Sequence, residues 1–286
     1  MVRLLPAIAL TLGTGWAVAQ NTPAVEWQRN LGGSSDEFGV SIEQTSDGGY
    51  IVCGTTRSNN GDVVGNHGNE DIWVVKLNAS GSTEWQRCLG GTQPDNGIRA
   101  LELPGEGYLV LGNVRSNDGD VSGNHGMIDF WLAKLAADGT LLSQRCYGGT
   151  LNDASGGIEP TPDGGFILVG GSRSVDGDLT ANAGSTDYWV LKIDADFDIQ
   201  WQRSYGGSSA ESAVAVALTS DGGYMINGSS SSDDGDVSGA FGLEDFWVVK
   251  LDELGNIQWQ RPCGGSDLDL GSTITELSDG SFMAGA

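Results

Sequence analysis

Short apolar runs alternate with polar, glycine-rich segments along almost the whole chain. Within one stretch the runs occupy residues 38–45, 50–56, 71–77 and 83–87. Asp47-Gly48-Gly49 lies between the first two runs and is a tight-turn signal, because these residues readily take positive φ. The chain lacks the 3.6-residue periodicity of an amphipathic helix. The pattern therefore predicts four short antiparallel strands per unit and an all-β fold.

The unit recurs at a fixed interval. Each copy begins 58 residues after the last (for example 85 − 27), without insertion or deletion. The copies of the marker tripeptide are Trp27-Gln28-Arg29, Trp85-Gln86-Arg87, Ser143-Gln144-Arg145, Trp201-Gln202-Arg203 and Trp259-Gln260-Arg261. A fixed period of this size indicates one supersecondary unit copied along the chain. Because the polar residues repeat as well, the pattern argues against one unique catalytic constellation.

A β-propeller suits such units, since neighbouring blades cover both faces of each sheet and ring closure removes exposed edges. We expect four-stranded blades over about 33–88, 91–146, 149–204 and 207–262, with a partial blade over 264–286. The chain thus looks truncated after about four and a half blades. An open β-solenoid or stacked β array is the alternative, although hairpin turns fit a meander better.

Two segments carry a resemblance to a known family. Residues 76–85, Lys-Leu-Asn-Ala-Ser-Gly-Ser-Thr-Glu-Trp, and 250–259, Lys-Leu-Asp-Glu-Leu-Gly-Asn-Ile-Gln-Trp, resemble the tryptophan-docking motif of quinoprotein-type propeller repeats. The wider unit resembles tandem propeller repeats of exported bacterial proteins. The resemblance implies that Trp85, Trp201 and Trp259 pack between blades. It carries no quinone chemistry, because the chain has no cofactor-binding set.

Composition narrows the choice of partner and compartment. With 38 acidic and 14 basic residues the formal net charge is −24, which disfavours binding to nucleic acid or anionic membrane surfaces. Residues 1–19 have a basic residue, a short apolar run and an Ala-x-Ala end, the pattern of a cleaved signal peptide. We therefore expect a mature domain of residues 20–286 that is secreted, periplasmic or on the cell surface, without membrane insertion.

Aspartates crowd the loop between the second and third strands of each unit. Closely spaced carboxylates beside a glycine bend are what Ca²⁺ requires, but the same side chains also cap turns by accepting backbone N–H groups. Both interpretations stay open here. The calcium candidates are Asp62, Asp71, Asp118, Asp120, Asp129, Asp176, Asp178, Asp187, Asp234, Asp236 and Asp245.

We expect structural roles for the other repeated polar residues, the histidines and the cysteines. A second acidic position recurs at Glu37, Asp95, Asp153, Glu211 and Asp269, and with the repeated arginines and lysines it predicts ion pairs within or between blades. His67 and His125 share one offset that later units fill with other residues, so we expect solvated loop residues. The four cysteines lie at positions poorly placed for bridging, which favours unpaired thiols.

Two hypotheses of function follow. The first is an exported, non-catalytic β-propeller that binds or scaffolds a protein or an extracellular polysaccharide, since repeats build extended similar surfaces. No catalytic residue and no certain cofactor is assigned. The alternative is a carbohydrate-active enzyme, which needs two acidic residues converging on the central pore. Glu106 departs from the repeat and is a possible pore residue, although its turn position favours the surface.

Overall fold

A computed structural model describes residues 24–285, and the predicted signal segment lies outside them. These residues form an all-β structure without helix. Sheet 1 contains β1 (Glu37–Gln44), β2 (Tyr50–Thr56), β3 (Asp71–Leu77) and β4 (Thr83–Leu89). Sheet 2 contains β5 (Asp95–Leu103), β6 (Gly107–Val114), β7 (Asp129–Leu135) and β8 (Leu141–Tyr147). Sheet 3 contains β9 (Asp153–Pro160), β10 (Phe166–Ser172), β11 (Asp187–Ile193) and β12 (Ile199–Tyr205). Sheet 4 contains β13 (Glu211–Leu218), β14 (Tyr224–Ser230), β15 (Asp245–Leu251) and β16 (Ile257–Cys263), and sheet 5 contains β17 (Thr273–Glu276) and β18 (Phe282–Gly285).

Each repeat folds into a sheet of its own. In sheets 1 to 4 the strands follow chain order and every neighbouring pair is antiparallel. This meander differs from a solenoid, in which successive repeats would add strands to shared sheets. The second and third strands of the first unit begin and end where the sequence predicted, at 50–56 and 71–77. Across the described residues the sheets do not close on one another.

The first strands of successive sheets lie side by side, and the hydrophobic core fills the spaces between sheets. Within these spaces Trp131, Trp189 and Trp247 are fully buried, each at the same position of its third strand. The second and third strands are the most completely buried because neighbouring sheets cover both of their faces. No helix in residues 24–285 is long and apolar enough to cross a membrane.

Two tryptophans, Trp85 and Trp201 on the fourth strands of sheets 1 and 3, reach across to the next sheet. The indole N–H of Trp85 donates to the carbonyl of Ala137 at 3.0 Å, and its ring packs edge-on to Tyr108. Trp201 packs in the same way against Tyr224. Trp259 is 46% exposed, so the expectation that it packs between sheets is wrong in this structure. The turn that would receive it belongs to a third and fourth strand, and sheet 5 has only two.

Candidate functional site

Chain direction gives every sheet two distinct ends. The tight turns after the first and third strands, such as 45–49 and 78–82, lie at one end, which we call the turn end. The long loops after the second strands, such as 57–70, and the connections between sheets lie at the other, the loop end. All of the calcium candidates lie at the loop end, where they recur in sheets 1 to 4.

The exposed loop aspartates accept backbone N–H groups of the connection that precedes the first strand of their sheet. Asp118 Oδ1 accepts the backbone N–H of Thr92 at 2.8 Å, and Asp176 accepts that of Thr150 at 2.8 Å. These bonds lower the pKa of both carboxyl groups. Asp234 receives the same bond from Ser208, and in sheet 1 Asn60 takes the place of the aspartate. The bonded backbone lies 26 residues away from each side chain, so these bonds hold the loop against the connection before the first strand and do not cap a turn within the loop.

The next aspartate of each loop ties one sheet to its predecessor. Asp120 Oδ2 accepts the N–H of Gly90, and Asp178 Oδ2 accepts that of Gly148. Asp236 and Asp62 make the equivalent bonds to Gly206 and Gly32. These carboxylates therefore fix the position of the loop against a neighbouring segment.

The remaining candidates are buried. Asp71, Asp129, Asp187 and Asp245 open the third strands and are at most 1% exposed. In Asp71, Asp129 and Asp245, the Oδ1 atom is buried and has no hydrogen-bond partner among the described residues. Burial raises the pKa of Asp71 and Asp129, although hydrogen bonds from His67 and His125 act in the opposite direction.

A second acidic residue from the following sheet faces each buried aspartate. A side-chain carbon on Gly90 would meet Asp71 Oδ1 at 2.9 Å and Asp95 Oδ2 at 2.7 Å, so both oxygens point to one spot. The pairs are Asp71 with Asp95, Asp129 with Asp153, Asp187 with Glu211, and Asp245 with Asp269. Within residues 24–285 no group of three or more histidine, cysteine or acidic side chains forms a metal site. Calcium binding stays a prediction, now confined to these paired carboxylates.

The recurring acidic position does not form the predicted ion pairs. Asp95 is fully buried and accepts the backbone N–H groups of Gly91, Arg115 and Ser116. The repeated bases find other partners: Lys76 bonds Asp47 and Glu84 within sheet 1, and Arg87 bonds backbone carbonyls of the next sheet. Spacing alone could not distinguish these partners, because all of these groups repeat with one period.

The histidines and cysteines have no ligating arrangement. The rings of His67 and His125 are partly exposed, and each Nδ1 lies within 2.8 Å of a carboxylate oxygen of Asp71 or Asp129. All four cysteines are free thiols, as the sequence predicted. Burial raises the pKa of Cys53 to about 12, so this thiol stays protonated.

A central cavity of about 510 Å³ lies between the first strands of all five sheets. Its charged residues break the repeat and were not among the predicted site residues. Arg99 Nη1 lies 2.6 Å from Glu159 Oε1, and its Nη2 lies 4.0 Å from Glu43 Oε2. Burial raises the pKa of Glu43, while the charge of Arg99 opposes this shift. Glu106 lies at the turn end and does not line this cavity. Arg99 could have been found as the one basic residue among the first strands.

The loop end also carries large apolar side chains in water. Phe241, Leu243 and Leu268 are 71, 68 and 61% exposed. Leu268 pairs with Glu244 in an isolated bridge, so the three residues lie on neighbouring segments, which we call the sheet 4 apolar patch. At the Phe241 position the earlier sheets have His67, His125 and Ala183. Contiguous exposed apolar side chains are a feature of protein interaction surfaces.

The comparisons with known proteins bear on the fold alone. No family model and no curated protein matches the chain. Among solved structures it is similar to a protein of unknown function from Bacteroides caccae, at 12% identity and a TM-score of 0.53, over 90% of this chain and 73% of that one. A luciferin-regenerating enzyme aligns at 9% identity and a TM-score of 0.43, over 85% of this chain and 67% of that one. These identities carry no conclusion about activity.

Proposed function

We propose that this chain is an exported, non-catalytic β-propeller that binds a protein or an extracellular polysaccharide through its loop end. The side-by-side arrangement of the sheets around one cavity supports the propeller. In a closed propeller, another sheet would pack against β1. Ile42 on β1 is 63% exposed, whereas the equivalent residues Ala100, Ile158, Val216 and Ile274 are buried. An acidic exported protein is also poorly suited to nucleic acid or anionic lipid.

The observation that carries the proposal is the composition of the loop end. Equivalent hydrogen bonds between the loop and the preceding connection recur there in sheets 2, 3 and 4, so these sheets present similar polar surfaces. The sheet 4 apolar patch lies on the same end. An interface commonly combines an apolar centre with a polar rim, and this surface has both elements.

The direct test is an array screen of the purified mature chain against proteins and glycans. We expect saturable binding to a protein or a polysaccharide and no turnover. Turnover of a glycan without stable binding would reject the non-catalytic proposal and favour an enzyme.

A carbohydrate-active enzyme is the second candidate, because two carboxylates line the central cavity. Glu43 and Glu159 occupy a position that sheets 2 and 4 fill with Leu101 and Ala217. The raised pKa of Glu43 suits a general acid. Arg99 lies between Glu43 and Glu159, and an arrangement in which it only neutralises their charges fits the geometry equally well. Hydrolysis that is lost in both Glu43→Gln and Glu159→Gln would establish the enzyme; unchanged activity would place any hydrolysis elsewhere.

A further inference from the structure

The repeat breaks at one place on the turn end, between sheets 2 and 3. The turn after the first strand reads Thr-Ser-Asp-Gly-Gly, or Thr-Pro-Asp-Gly-Gly, in sheets 1, 3 and 4. There the aspartate accepts hydrogen bonds from the threonine hydroxyl, a glycine N–H and a lysine, as Asp163 does from Thr161, Gly165 and Lys192. Sheet 2 has Leu-Pro-Gly-Glu-Gly at 103–107, without the aspartate.

The change leaves Lys134 with unused donors. An ammonium group has three N–H donors. The equivalent Lys76 uses them on Asp47, Glu84 and the carbonyl of Leu77, and its side chain is 2% exposed. Within the described residues Lys134 has one partner, Glu106 at 2.6 Å, and it is 25% exposed. Lys134 therefore has capacity for a further acceptor.

The opposite wall of the same junction departs from the repeat as well. Ser143 stands where other fourth strands have tryptophan, and Phe197 stands where the receiving turns have glycine. Phe197 is 4% exposed and packs against Phe166 at 6.2 Å between ring centroids. An aromatic wall from sheet 3 thus faces the apolar turn of sheet 2.

Between these walls lies a cavity of about 190 Å³, the turn-end cavity. Leu103, Pro104, Pro160, Phe166 and Phe197 line it, and Lys134 and Glu106 lie at its edge. A cavity of about 150 Å³ with apolar walls is large enough for a benzene ring. The turn-end cavity therefore has room for a small ring or a branched aliphatic group.

We propose that the turn-end cavity binds a small organic carboxylate with an aromatic or branched apolar body. The body fills the space beside Phe166 and Phe197, and the carboxylate bonds Lys134. Glu106 yields its place because it is 62% exposed and returns to water at little cost, whereas Lys134 projects from the buried strand β7. This site lies at the end opposite the surface proposed for partner binding.

Calorimetric titration of the purified chain with phenylacetate tests the proposal, with acetate, toluene and phenethylamine as controls. We expect saturable binding of phenylacetate alone. Glu106→Gln should tighten it by about two- to fivefold, since the competing exposed ion pair is weak. Lys134→Met should weaken it by about tenfold or more through the lost charge-assisted bonds. Near-ultraviolet circular dichroism of each variant checks the fold.

Glu106→Gln changes an exposed side chain and should leave the fold intact. Its effect on phenylacetate affinity can therefore be measured even if Lys134→Met disturbs folding. Absence of saturable phenylacetate binding, or equal affinity in a folded Lys134→Met variant, would overturn the proposal. Preferential binding of phenethylamine that Glu106→Gln abolishes would also overturn it, since the recognised charge would then be positive.

Discussion

The Tyr147 hydroxyl donates a hydrogen bond of 2.7 Å to the carbonyl of Phe197, across the junction between sheets 2 and 3. Tyr205 makes the same bond to the carbonyl of Gly255 at the junction of sheets 3 and 4. The bond is thus kept while the receiving residue changes from glycine to phenylalanine. Phe197 holds φ at 72°, the left-handed conformation that its glycine counterparts adopt freely.

Ser143 and Phe197 should prove energetically coupled. Phe197→Gly removes a buried ring, although it also relieves the φ strain at this position. We expect the free energy of unfolding to fall by about 2 kcal/mol or more. Ser143→Trp should also destabilise, because Phe197 occupies the space of the new indole. The double variant restores the tryptophan–glycine contact of the other junctions. In urea unfolding, the double variant should be destabilised by about 1 kcal/mol or more less than the sum of the two single variants. Additive values would contradict the coupling between Ser143 and Phe197.

Gly139 should tolerate no side chain, because the Trp85 ring lies against it. A side-chain carbon there would lie 2.8 Å from the ring, at a φ of 80°. Gly164 is the matched control, with a φ of 86° and nothing within 4 Å of the added carbon. Both alanine variants carry a backbone cost of about 1–2 kcal/mol. We expect Gly139→Ala to unfold at lower urea concentration than Gly164→Ala; equal midpoints would show that Trp85 moves aside freely.

The turn aspartates should contribute to acid unfolding. Hydrogen bonds from Thr219 and Lys250 lower the pKa of Asp221 to about 2. A carboxyl group whose pKa is lower in the folded state stabilises above its unfolded pKa, about 3.9, and loses that contribution as pH falls. Asp221→Asn should therefore lower the melting temperature at pH 7 and flatten its decline between about pH 4 and 2. If the melting temperature of the variant declines with pH as steeply as that of the unaltered chain, Asp221 does not contribute to acid unfolding.

Sequence periodicity predicted the regular part of this molecule and could not predict its exceptions. Strand positions follow from local alternation and turn residues, so β2 and β3 were predictable to the residue. The pairing of Asp71 with Asp95 depends on how two sheets meet, which no local pattern contains. Ser143 and Phe197 carried a usable signal, since both depart from the repeat at positions that meet in space. Arg99 gains its role only where the first strands of three sheets meet, beside Glu43 and Glu159, and no local pattern contains that arrangement.

Calcium is predicted to stabilise the fold through the paired carboxylates. Ca²⁺ bound only to the folded state adds about 2.7 kcal/mol at a hundredfold excess over Kd. We expect a higher melting temperature in CaCl₂ than in NaCl of equal ionic strength. Asp129→Asn should reduce the calcium-dependent shift, while Asp138→Asn, an exposed turn residue, should leave it unchanged. Identical midpoints in calcium, chelator and NaCl would end the metal hypothesis.

The most direct test of the account compares partner binding by the two ends of the molecule. The double variant Phe241→Ser with Leu243→Ser alters the loop end, and Leu254→Ser changes a similarly exposed leucine in the turn between β15 and β16 at the turn end. On the protein or glycan retained in the array screen, we predict that the loop-end variant loses about tenfold or more in affinity, as loss of an apolar interface centre requires. Leu254→Ser should bind like the unaltered chain. Equal binding by all three proteins, or loss in Leu254→Ser alone, would contradict a binding surface at the loop end.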